Sequence, residues 1–454
     1  ARGGSAGGAG RERSKHEARR AGSSTSRSPS PVLSPRRRSG KKASKKKDRR
    51  RAKHSSSSSS SGSAGSDSSG KSSGKGDSAG TFSGSKGDYI DHRFRIVKSL
   101  GQGTFGRVLR CVDERKHNRE VAVKVVRAIP KYVEEARIEA RILDEIQRRF
   151  EKCFKTLENS RIVILHDYFS WRSHYCMVQE PLGMSLYDYQ RKTNYAPFEL
   201  DCIRIIAKDV FEALEFLHIE CNIVHTDLKL ENILFQAPFS ARDQVPSWRV
   251  KLIDFGGATE VEPISGAAQA SSGAGSGRSS SPGGSRKPRV HTSIINTRQY
   301  RSPEVTLRLG WTFPSDIWSV GCILMELLQG DLLFQTHEEL EHLALISRVI
   351  GPFPDFMRRK GDYFDSRAEL RWPPNTKSRS YSSKSVKFVQ QQPPLESLIQ
   401  RAMSRLRNEP TSGHIDAFAH LVQKCLELDP TKRIDARHAL DSTFIAEDGA
   451  SASA

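Results

Sequence analysis

The sequence has no apolar run long enough to cross a membrane. Its longest, residues 317–328, is interrupted by Glu326, whereas a membrane-spanning helix needs about 20 residues. The N-terminus also lacks the apolar segment of a secretory signal peptide. These absences exclude a transmembrane protein, and nothing in the sequence points to secretion.

Cysteines are few and lie far apart, and no two of them form a CxxC pair. Zinc sites and disulfide frameworks use characteristic cysteine spacings that are absent here. The sequence therefore supports neither kind of site and predicts free thiols in a reducing compartment. The seven cysteines are Cys111, Cys153, Cys176, Cys202, Cys221, Cys322 and Cys425.

Apolar residues make up only 36% of the 454 residues, and the shortage is concentrated at the N-terminus. Residues 1–88 hold 22 Lys and Arg against 6 Asp and Glu, which is +16 of the total net charge of +21. Their only large apolar side chains are Val32, Leu33 and Phe82. Such a segment cannot bury enough surface to offset its ordering entropy, so we predict a disordered, basic, Ser-rich tail over 1–88. The chain begins with Ala rather than Met, which indicates a piece of something longer.

The rest of the chain changes from strand-like to helical periodicity. Alternation and turn signals within 93–127 predict an antiparallel meander, and a charged amphipathic helix follows over 132–150 with apolar positions at Ile138, Ile142, Leu143 and Ile146. Two further strands precede a mainly helical region. Polar, low-complexity stretches interrupt it at 263–288 and 372–394. We expect an α+β architecture of two lobes, with ligands bound in the crevice between them. The further strands are expected at 162–169 and 175–178, and the helices at 201–219, 315–330, 338–350, 395–407 and 415–428.

A glycine-rich loop, G-x-G-x-x-G-x-V, separates the first two strands at residues 101–108. Glycines let the backbone approach phosphate oxygens with no Cβ in the way. A dinucleotide-binding loop would be followed by a helix, but a strand follows here, so a flap over ATP fits better. Tight glycine turns without any ligand are common, so the loop alone decides little.

Lys124 lies in the otherwise apolar strand V-A-V-K-V-V. It could be an edge residue whose ammonium reaches water. Alternatively, the ammonium contacts the α- and β-phosphates of ATP and needs an acidic partner. In the next helix, Glu139 faces the lobe interior better than Glu134 or Glu135 does, so we favour Glu139.

The strongest signal is D-x-K-x-x-N followed by D-F-G, at residues 227–232 and 254–256. Phosphoryl transfer to a hydroxyl needs a carboxylate that orients the hydroxyl, here Asp227, and a cation on the transferred group, here Lys229. Oxygen ligands must also hold Mg²⁺ against the phosphates, here Asn232 and Asp254. The sequence therefore predicts a phosphotransferase.

On these motifs the chain resembles a eukaryotic protein kinase over about residues 94–446. Ser302-Pro303-Glu304 stands where the family has Ala-Pro-Glu, D-x-W-S-x-G follows at 316–321, and Arg433 is the arginine that pairs structurally with Glu304. The resemblance implies the two-lobed kinase fold, ATP and Mg²⁺ as cofactors, and Glu139 as the partner of Lys124. Its implied regions are an N-lobe over 89–181, a C-lobe over 182–447 with an activation-segment insert at 261–290 and a CMGC-type insert at 352–410, and a C-terminal tail over 448–454.

Three segments are similar to LAMMER-type (CLK) kinases of the CMGC group: 182–188, 296–304 and the helix at 341–352. This resemblance places Gln179 at the gatekeeper position, where the subfamily usually has phenylalanine. It implies hinge backbone hydrogen bonds to adenine from Glu180 and Leu182. The nucleotide site that it implies comprises Leu100, Gly101, Gln102, Gly103, Thr104, Phe105, Gly106, Val108, Ala122, Lys124, Gln179, Glu180, Leu182, Ser185, Asp188, Leu234 and Ile253, the serine and Asp188 lining the ribose side.

Several positions depart from the family's pattern. Thr226 replaces the arginine before the catalytic aspartate, Gln299 replaces a histidine, and Gly257 follows the D-F-G glycine. The LAMMER hexapeptide at 343–348 matches at three of six positions. The segment 254–304 spans 51 residues, roughly twice the family's usual length. Because Thr226 is uncharged and cannot grip a phosphate, we expect the activation segment to work without phosphorylation.

The resemblance also implies substrates, namely nuclear Arg/Ser-rich splicing factors phosphorylated on Ser or Thr, with Tyr as a further acceptor. Glu231 is a candidate partner for a substrate arginine. The basic run at 41–51 fits nuclear import and, having no interleaved aromatics, does not predict specific nucleic-acid binding. We expect a monomer that is located in the nucleus, with the cytoplasm as a second location. The alternatives are a DYRK-like or SR-protein-kinase-like enzyme, a pseudokinase scaffold, and a nucleic-acid-binding protein with an incidental kinase domain.

Overall fold

The computed structural model describes residues 80–153, 156–237, 248–261, 291–359, 362–373, 383–408 and 410–446, all within one compact unit, Gly74–Ala454. Predictions about residues 1–79, about almost all of the Ser/Gly insert and about the C-terminal tail lie outside these residues. Among the described helices, none combines the length and apolar character that a membrane crossing requires.

The N-lobe is an antiparallel sheet of six strands with one helix. The strand order is β1-β2-β3-β4-β6-β5, so the meander predicted within 93–127 is present as β2 to β4. Alternating side chains of the sheet bury one apolar face around Phe94, Leu109 and Val123. The elements are β1 Tyr89–Ile90, β2 Phe94–Gln102, β3 Gly106–Asp113, β4 Arg119–Val126, α1 Pro130–Lys152, β5 Leu165–Trp171 and β6 His174–Gln179.

Helix α1 turns inward only part of the apolar stripe that the sequence predicts. Glu139, Leu143 and Ile146 are buried against the sheet, whereas Ile138 is 40% exposed. Residues at i, i+4 and i+7 share a helix face, and the buried carboxylate of Glu139 defines that face because it meets Lys124. The prediction of Ile138 as a core residue is therefore wrong, and that of an inward Glu139 is confirmed.

Residues 80–88 are not part of a disordered tail. The Phe82 ring packs against Trp171 and His174 with centroids 5.7 and 5.8 Å apart. The Gly80 carbonyl accepts a 2.8 Å hydrogen bond from Ala128 N. One aromatic ring and a few backbone hydrogen bonds suffice to hold this polar segment on the N-lobe, so the predicted boundary at 88 is wrong by nine residues.

The C-lobe is helical, with two small two-stranded sheets beside the crevice. The two-lobed α+β architecture expected from the sequence is confirmed. The elements are α2 Leu186–Lys192, α3 Leu200–Glu215, β7 Ile223–Val224, β8 Ile233–Phe235, β9 Val250–Leu252, β10 Thr259–Glu260, α4 Pro303–Thr306, α5 Pro314–Gln329, α6 Glu339–Val349, α7 Asp355–Arg358, α8 Ser383–Gln391, α9 Leu395–Met403, α10 Ser412–Cys425, α11 Ala436–Leu440 and α12 Thr443–Ala446.

The segment similar to the LAMMER hexapeptide lies in α6 and is mostly core. Leu345 and Ile346 are buried, Ser347 is half-buried and Arg348 is exposed. Exchanges between apolar side chains of similar volume are tolerated well at buried positions. The departure from the hexapeptide therefore preserves the packing of α6 in the C-lobe.

All seven cysteines are free thiols.

Candidate active site

The glycine-rich loop is the turn between β2 and β3, as predicted. Gly103 N donates to Gly106 O at 2.9 Å. A Cβ at Gly106 would lie 2.2 Å from Val125 O, so this glycine is required by the sheet itself. A Cβ at Gly101 or Gly103 would meet nothing within 4 Å. These two positions therefore leave open space in which phosphates fit.

Lys124, on β4, is clamped by carboxylates from two other elements. Its Nζ donates to both Glu139 oxygens at 2.8 and 2.7 Å and lies 3.6 Å from Asp254 Oδ1. Burial alone would lower the pKa of Lys124, but the two carboxylates outweigh it and raise the pKa above its usual value. The ammonium is therefore charged and directed at the crevice. The predicted pairing with Glu139 is present.

Asp227 is at the centre of a hydrogen-bond network. Its carboxylate accepts from Lys229 Nζ at 2.6 Å and from the Thr297 amide and hydroxyl at 3.1 and 2.8 Å. Burial tends to raise the pKa of Asp227, but the Lys229 ammonium and these hydrogen bonds lower it below its usual value. The carboxylate is thus ionised and fixed in orientation, as a hydroxyl-orienting group must be.

The loop that carries Asp227 is held by a buried aspartate of α5. Asp316 accepts from the amides of His225 and Thr226 at 2.7 and 3.0 Å. The His225 ring in turn contacts Ile253 O at 3.0 Å and lies 4.9 Å from the buried Phe255 ring. One residue of the D-x-W-S-x-G motif therefore couples Asp227 to the D-F-G segment.

Asn232 and Asp254 are placed as a pair of oxygen ligands. Asn232 is buried and donates its Nδ2 to Asp227 O at 2.8 Å, which leaves its carbonyl oxygen for a cation. Asp254 is exposed toward the crevice, and its φ of +65° lies in the left-handed region. Over the described residues no cluster of three or more His, Cys, Asp or Glu could hold a metal by itself. A cation here would need phosphate oxygens to complete its coordination.

Glu180 holds the hinge segment in place through its amide and its carboxylate. Its amide donates to Ile164 O at 3.0 Å, and its carboxylate accepts from the buried Lys251 at 2.7 Å. The only backbone group that Glu180 can offer an adenine is therefore its carbonyl. Gln179 ends β6 opposite Ala122.

Other residues of the expected nucleotide lining lie around the hinge and the loop. Val108 is opposite Lys124 across β3 and β4, and Leu234 is bridged to Ser185. Ser185 is buried and caps α2 by accepting from Asp188 N at 3.0 Å, so Asp188 is the better placed of the two to meet a ribose. The remaining lining residues Leu100, Gln102, Thr104 and Phe105 are exposed in the loop, and Leu182 and Ile253 are half-buried.

The activation segment is fastened at both described ends without a phosphate. The Thr226 hydroxyl donates to Gly257 O at 2.8 Å, and Asn296 N donates to Thr226 O at 2.9 Å. A Cβ at Gly257 would lie 2.7 Å from Thr226 Oγ1, so this glycine is matched to the threonine. Farther along, Glu304 and Arg433 form the predicted ion pair, with distances of 2.7 and 3.0 Å.

Two glutamates of the C-lobe, Glu326 and Glu231, have raised pKa values. Burial raises the pKa of Glu326 to about 8, and its carboxyl accepts from Tyr300 OH at 2.6 Å. Glu231 is exposed beside the catalytic loop. Loss of surrounding solvent and the carboxylates of Asp227 and Asp188 raise the pKa of Glu231. A cation that binds beside Glu231 would therefore offset the repulsion between its carboxylate and those of Asp227 and Asp188.

Sequence reasoning missed Thr297, Lys251 and Asp316 as members of the site. Thr297 stands 70 residues from Asp227, beyond the insert, and no local pattern relates the two. The 297–304 segment and the D-x-W-S-x-G motif were recognisable as features of the family. Neither motif showed that Thr297 and Asp316 contact the loop that carries Asp227. Lys251 has a weak signal, since it is a lone cation in a short apolar strand before D-F-G.

The protein kinase domain family model matches residues 94–445. The chain is 38% identical over 380 residues to serine/threonine-protein kinase AFC2 of Arabidopsis thaliana, covering 79% of this chain and 78% of that one. It is 35% identical to dual specificity protein kinase lkh1 of Schizosaccharomyces pombe, covering 78% of this chain and 47% of that one. For human dual specificity protein kinase CLK2 the identity is 34%, and 79% of this chain and 65% of CLK2 are covered. The crystal structure of the PF14_0431 kinase domain superposes with a TM-score of 0.65 at 34% identity, covering 81% of this chain and 99% of that one.

Proposed function

This chain belongs to the protein kinases, and within them to the LAMMER/CLK type, and from that premise we propose that it phosphorylates Ser and Thr in Arg/Ser-rich proteins. That it is a protein kinase acting on proteins follows from the family, whose members use ATP and a divalent metal. The finer assignments of the site residues rest on the contacts described above, and the ionised, oriented carboxylate of Asp227 is the observation that carries the proposed activity. The substrate class and the location are supported by Glu231 and by the basic run at 41–51.

The residues present fit Mg-ATP. Gly101 and Gly103 leave room for phosphates, and Lys124 presents a charged ammonium beside Asp254. Bound Mg-ATP would supply the phosphoryl group and the cation that neutralises its charge. Asn232 and Asp254 would hold the metal. The Glu180 carbonyl and the Leu182 backbone would contact the adenine, with Asp188 near the ribose.

Asp227 would orient the acceptor hydroxyl and take its proton. Lys229, 2.6 Å from Asp227 Oδ2, would hold the transferred group's negative charge next to that hydroxyl. Thr297 would fix the carboxylate from the activation segment, so that the base is in place only when that segment is seated. Two relatives, lkh1 and CLK2, are named dual specificity kinases, which supports Tyr as an additional acceptor.

The preference for arginine-rich substrates is supported by Glu231. Its exposed carboxylate lies next to the catalytic loop, and its neighbours Asp227 and Asp188 are of the same sign. Glu326, by contrast, is buried and protonated near neutral pH. A substrate arginine at Glu231 would offset carboxylate repulsion at the site. Arg/Ser-rich splicing factors have this chemistry, and the basic run at 41–51 supports action in the nucleus.

A peptide array with Mg-ATP tests the substrate assignment. Serine peptides with flanking arginines should be phosphorylated most strongly, and acidic-context peptides poorly. Glu231→Gln should reduce the preference for arginine over alanine flanks and leave turnover of alanine-flanked peptides unchanged. Glu158→Gln, an exposed glutamate away from the site, is the matched control. Dominant phosphorylation of acidic contexts would contradict the proposal and favour an enzyme with other substrates.

A further inference from the structure

Residues 80–88 form an ordered segment that the kinase family model, which begins at residue 94, does not include. We call this segment the N-terminal brace. Its start is bonded to the β4–α1 connection, where Ala128 N donates to Gly80 O at 2.8 Å. Its end joins β2, where Gly87 N donates to Ile96 O and Ile96 N donates to Asp88 O, both at 2.9 Å. The brace therefore spans the lobe between two fixed points.

Phe82 anchors the middle of the brace. Its ring meets Trp171 and His174 edge-to-face and packs on the apolar face of the sheet. A Cβ at Gly84 would lie 2.2 Å from the Phe82 ring, so only glycine lets the chain fold back over that ring. His174 Nδ1 also contacts Val126 O at 2.7 Å, at the end of β4. The anchor thus reaches the strand that carries Lys124.

One guanidinium connects the brace to the glycine-rich loop. Arg107 follows Gly106 at the start of β3 and donates through Nη1 to Phe82 O at 3.0 Å and to Gly84 O at 2.9 Å. The loop is in turn bonded to the β4–α1 connection, because Arg127 N donates to Phe105 O at 2.9 Å. Displacing the brace would therefore loosen the loop and the connection together.

Helix α1 begins without a cap of its own. Ile129 at its N-cap makes no side-chain hydrogen bond and its first turn has no acidic residue, although such groups usually stabilise a helix start. The Phe105 ring lies 5.2 Å from the Tyr132 ring in that first turn. Pro130 at the first helical position favours a helix start here, and contacts from outside the helix add to it in fixing where α1 starts and, with it, the position of Glu139.

From these contacts we infer that the N-terminal brace positions the nucleotide site, with Phe82 as its positioning residue. It holds the glycine-rich loop through Arg107 and the start of α1 through Ala128. In doing so it maintains the pairing of Lys124 with Glu139, which the strand and helix can keep only while α1 stays in place. The inference rests on the proposed role of that pair in ATP binding.

The test is Phe82→Ala in the full chain, measured by kinetics and by hydrogen exchange. Changes at positioning residues outside the site alter coupling by about 3- to 30-fold, so kcat/KM for ATP should fall by that factor. KM for the peptide should stay constant, and amide exchange over residues 128–139 should become faster. Phe82→Leu, which keeps apolar bulk, should recover most of the loss. Phe169→Ala is the matched control, because Phe169 packs half-buried on the same apolar cluster but stacks on Phe94 at its other end.

Gly80→Ala is a second variant for the case in which Phe82→Ala does not fold. At a φ of +72°, and with a Cβ 3.1 Å from Ala128 O, it should loosen the connection while keeping the ring. Equal kinetic losses in Phe82→Ala and Phe169→Ala, or unchanged exchange over 128–139 in both brace variants, would overturn the inference. Faster exchange with unchanged kcat/KM would overturn the functional role and count against the Lys124–Glu139 proposal itself.

Discussion

Among single residues, Asp227 gives the sharpest prediction. Asp227→Asn keeps the shape of the side chain and a hydrogen-bond acceptor for Thr297, but the amide cannot take a proton. General-base catalysis contributes about 10²- to 10⁴-fold, so turnover should fall by that factor. ATP binding should persist, because Asp227 contacts neither Lys124 nor Asp254 among its hydrogen bonds. Single-turnover phosphoryl transfer and an ATP titration measure the two separately.

The control for this change is Asp416→Asn, an exposed aspartate on α10. It makes the same substitution without touching the site, so its turnover and ATP affinity should match those of the wild type. Retention of more than a few per cent of activity in Asp227→Asn would show that another group accepts the hydroxyl proton.

His342 predicts a pH dependence of stability. It is fully buried on α6 and contacts Arg301 O at 2.8 Å. Burial lowers the pKa of His342 from 6.5 to about 4; the hydrogen bond to Arg301 O opposes this, the Arg301 and Arg298 guanidinium groups add to it, and Glu341 opposes it weakly. Between these pH values the unfolded chain binds more protons, so the free energy of unfolding falls as pH falls, by up to about 1.4 kcal/mol per pH unit.

Urea unfolding at pH 7, 6 and 5 should show this slope, and His342→Gln should show a shallower one, although the variant is less stable at pH 7. Burial also lowers the pKa of His166 to about 4, which adds a slope of the same sign. The quantity to compare is therefore the difference between the wild type and the variant. Parallel slopes would mean that folding does not lower the pKa of His342.

The site residues were predictable where residue types suited to phosphoryl transfer lie close together in the sequence. Asp227, Lys229 and Asn232 lie within six positions, and the hydrogen bonds at the site bring these three together. Thr297 and Lys251 were not predictable, because a hydroxyl or an ammonium acquires its role only when distant segments meet. Ser185 was assigned to the ribose, yet the structure uses its hydroxyl to cap α2.

Among the elements, the activation segment should function without phosphate. Thr226 bonds to Gly257 and Asn296 on the two sides of the insert and carries no charge with which to bind a phosphate. Phosphatase treatment, checked by mass spectrometry, should therefore leave the peptide phosphorylation rate nearly unchanged. In a phosphate-ordered segment the new ion pairs do the ordering, so a loss of about a hundredfold or more on dephosphorylation would contradict this prediction.

The activation-segment insert should be removable, provided that Val261 stays. Residues 262–290 lie outside the described residues, but Val261 and Trp311 share one buried cluster, and Trp311 N donates to His291 O at 3.0 Å. The ends of the insert are therefore close. Because a doubling of loop length costs only about 0.6 kcal/mol, replacing 263–289 by a short Gly/Ser linker should leave the melting temperature and activity unchanged.

The expected limits of 261–290 need this correction, because joining Glu260 to Arg289 would remove Val261. That side chain is buried, and its amide donates to Asn222 O at 2.8 Å. The deletion that includes Val261 should thus lose about 1.5–3 kcal/mol of stability relative to the one that keeps it. Thermal unfolding of the two deletion variants measures this difference in stability. If neither variant folds, the insert itself supports the fold.

Whole elements followed from periodicity where one face of the element is apolar, as in β2 to β4 and α9. In α1 the apolar stripe correctly indicated that Leu143 and Ile146 face inward, but Ile138 is exposed, because the face that packs on the sheet also carries Glu139 to its ion pair with Lys124. The brace was assigned to the tail because its composition is polar, and a single phenylalanine among glycines and serines gives no periodicity. Its fixation depends on Trp171, His174 and Arg107, which are distant in the sequence.

For the whole molecule, the uneven charge predicts that the enzyme modifies its own N-terminal tail. Residues 1–88 carry +16 of the net +21, and Ser26, Ser28, Ser30 and Ser34 are flanked by Arg or Pro. Each phosphate adds about −1.5 to −2 charges, so four phosphates would cancel roughly half of the tail's charge. Nuclear import and nonspecific nucleic-acid binding both depend on that positive charge. We therefore expect phosphorylation of the tail to weaken both.

Mass spectrometry after incubation with Mg-ATP tests this, with Asp227→Asn as the inactive control that reports contaminating kinases. Mixing wild-type enzyme with the Asp227→Asn chain distinguishes phosphorylation in trans from phosphorylation within one chain. Phosphate should accumulate on the four serines, and the chain's retention on a heparin column should move to lower salt as it does. If the tail serines stay unmodified while sites in acidic contexts are filled, both the tail prediction and the proposed preference for Arg/Ser-rich substrates are wrong, because the tail is itself a basic, Ser-rich sequence.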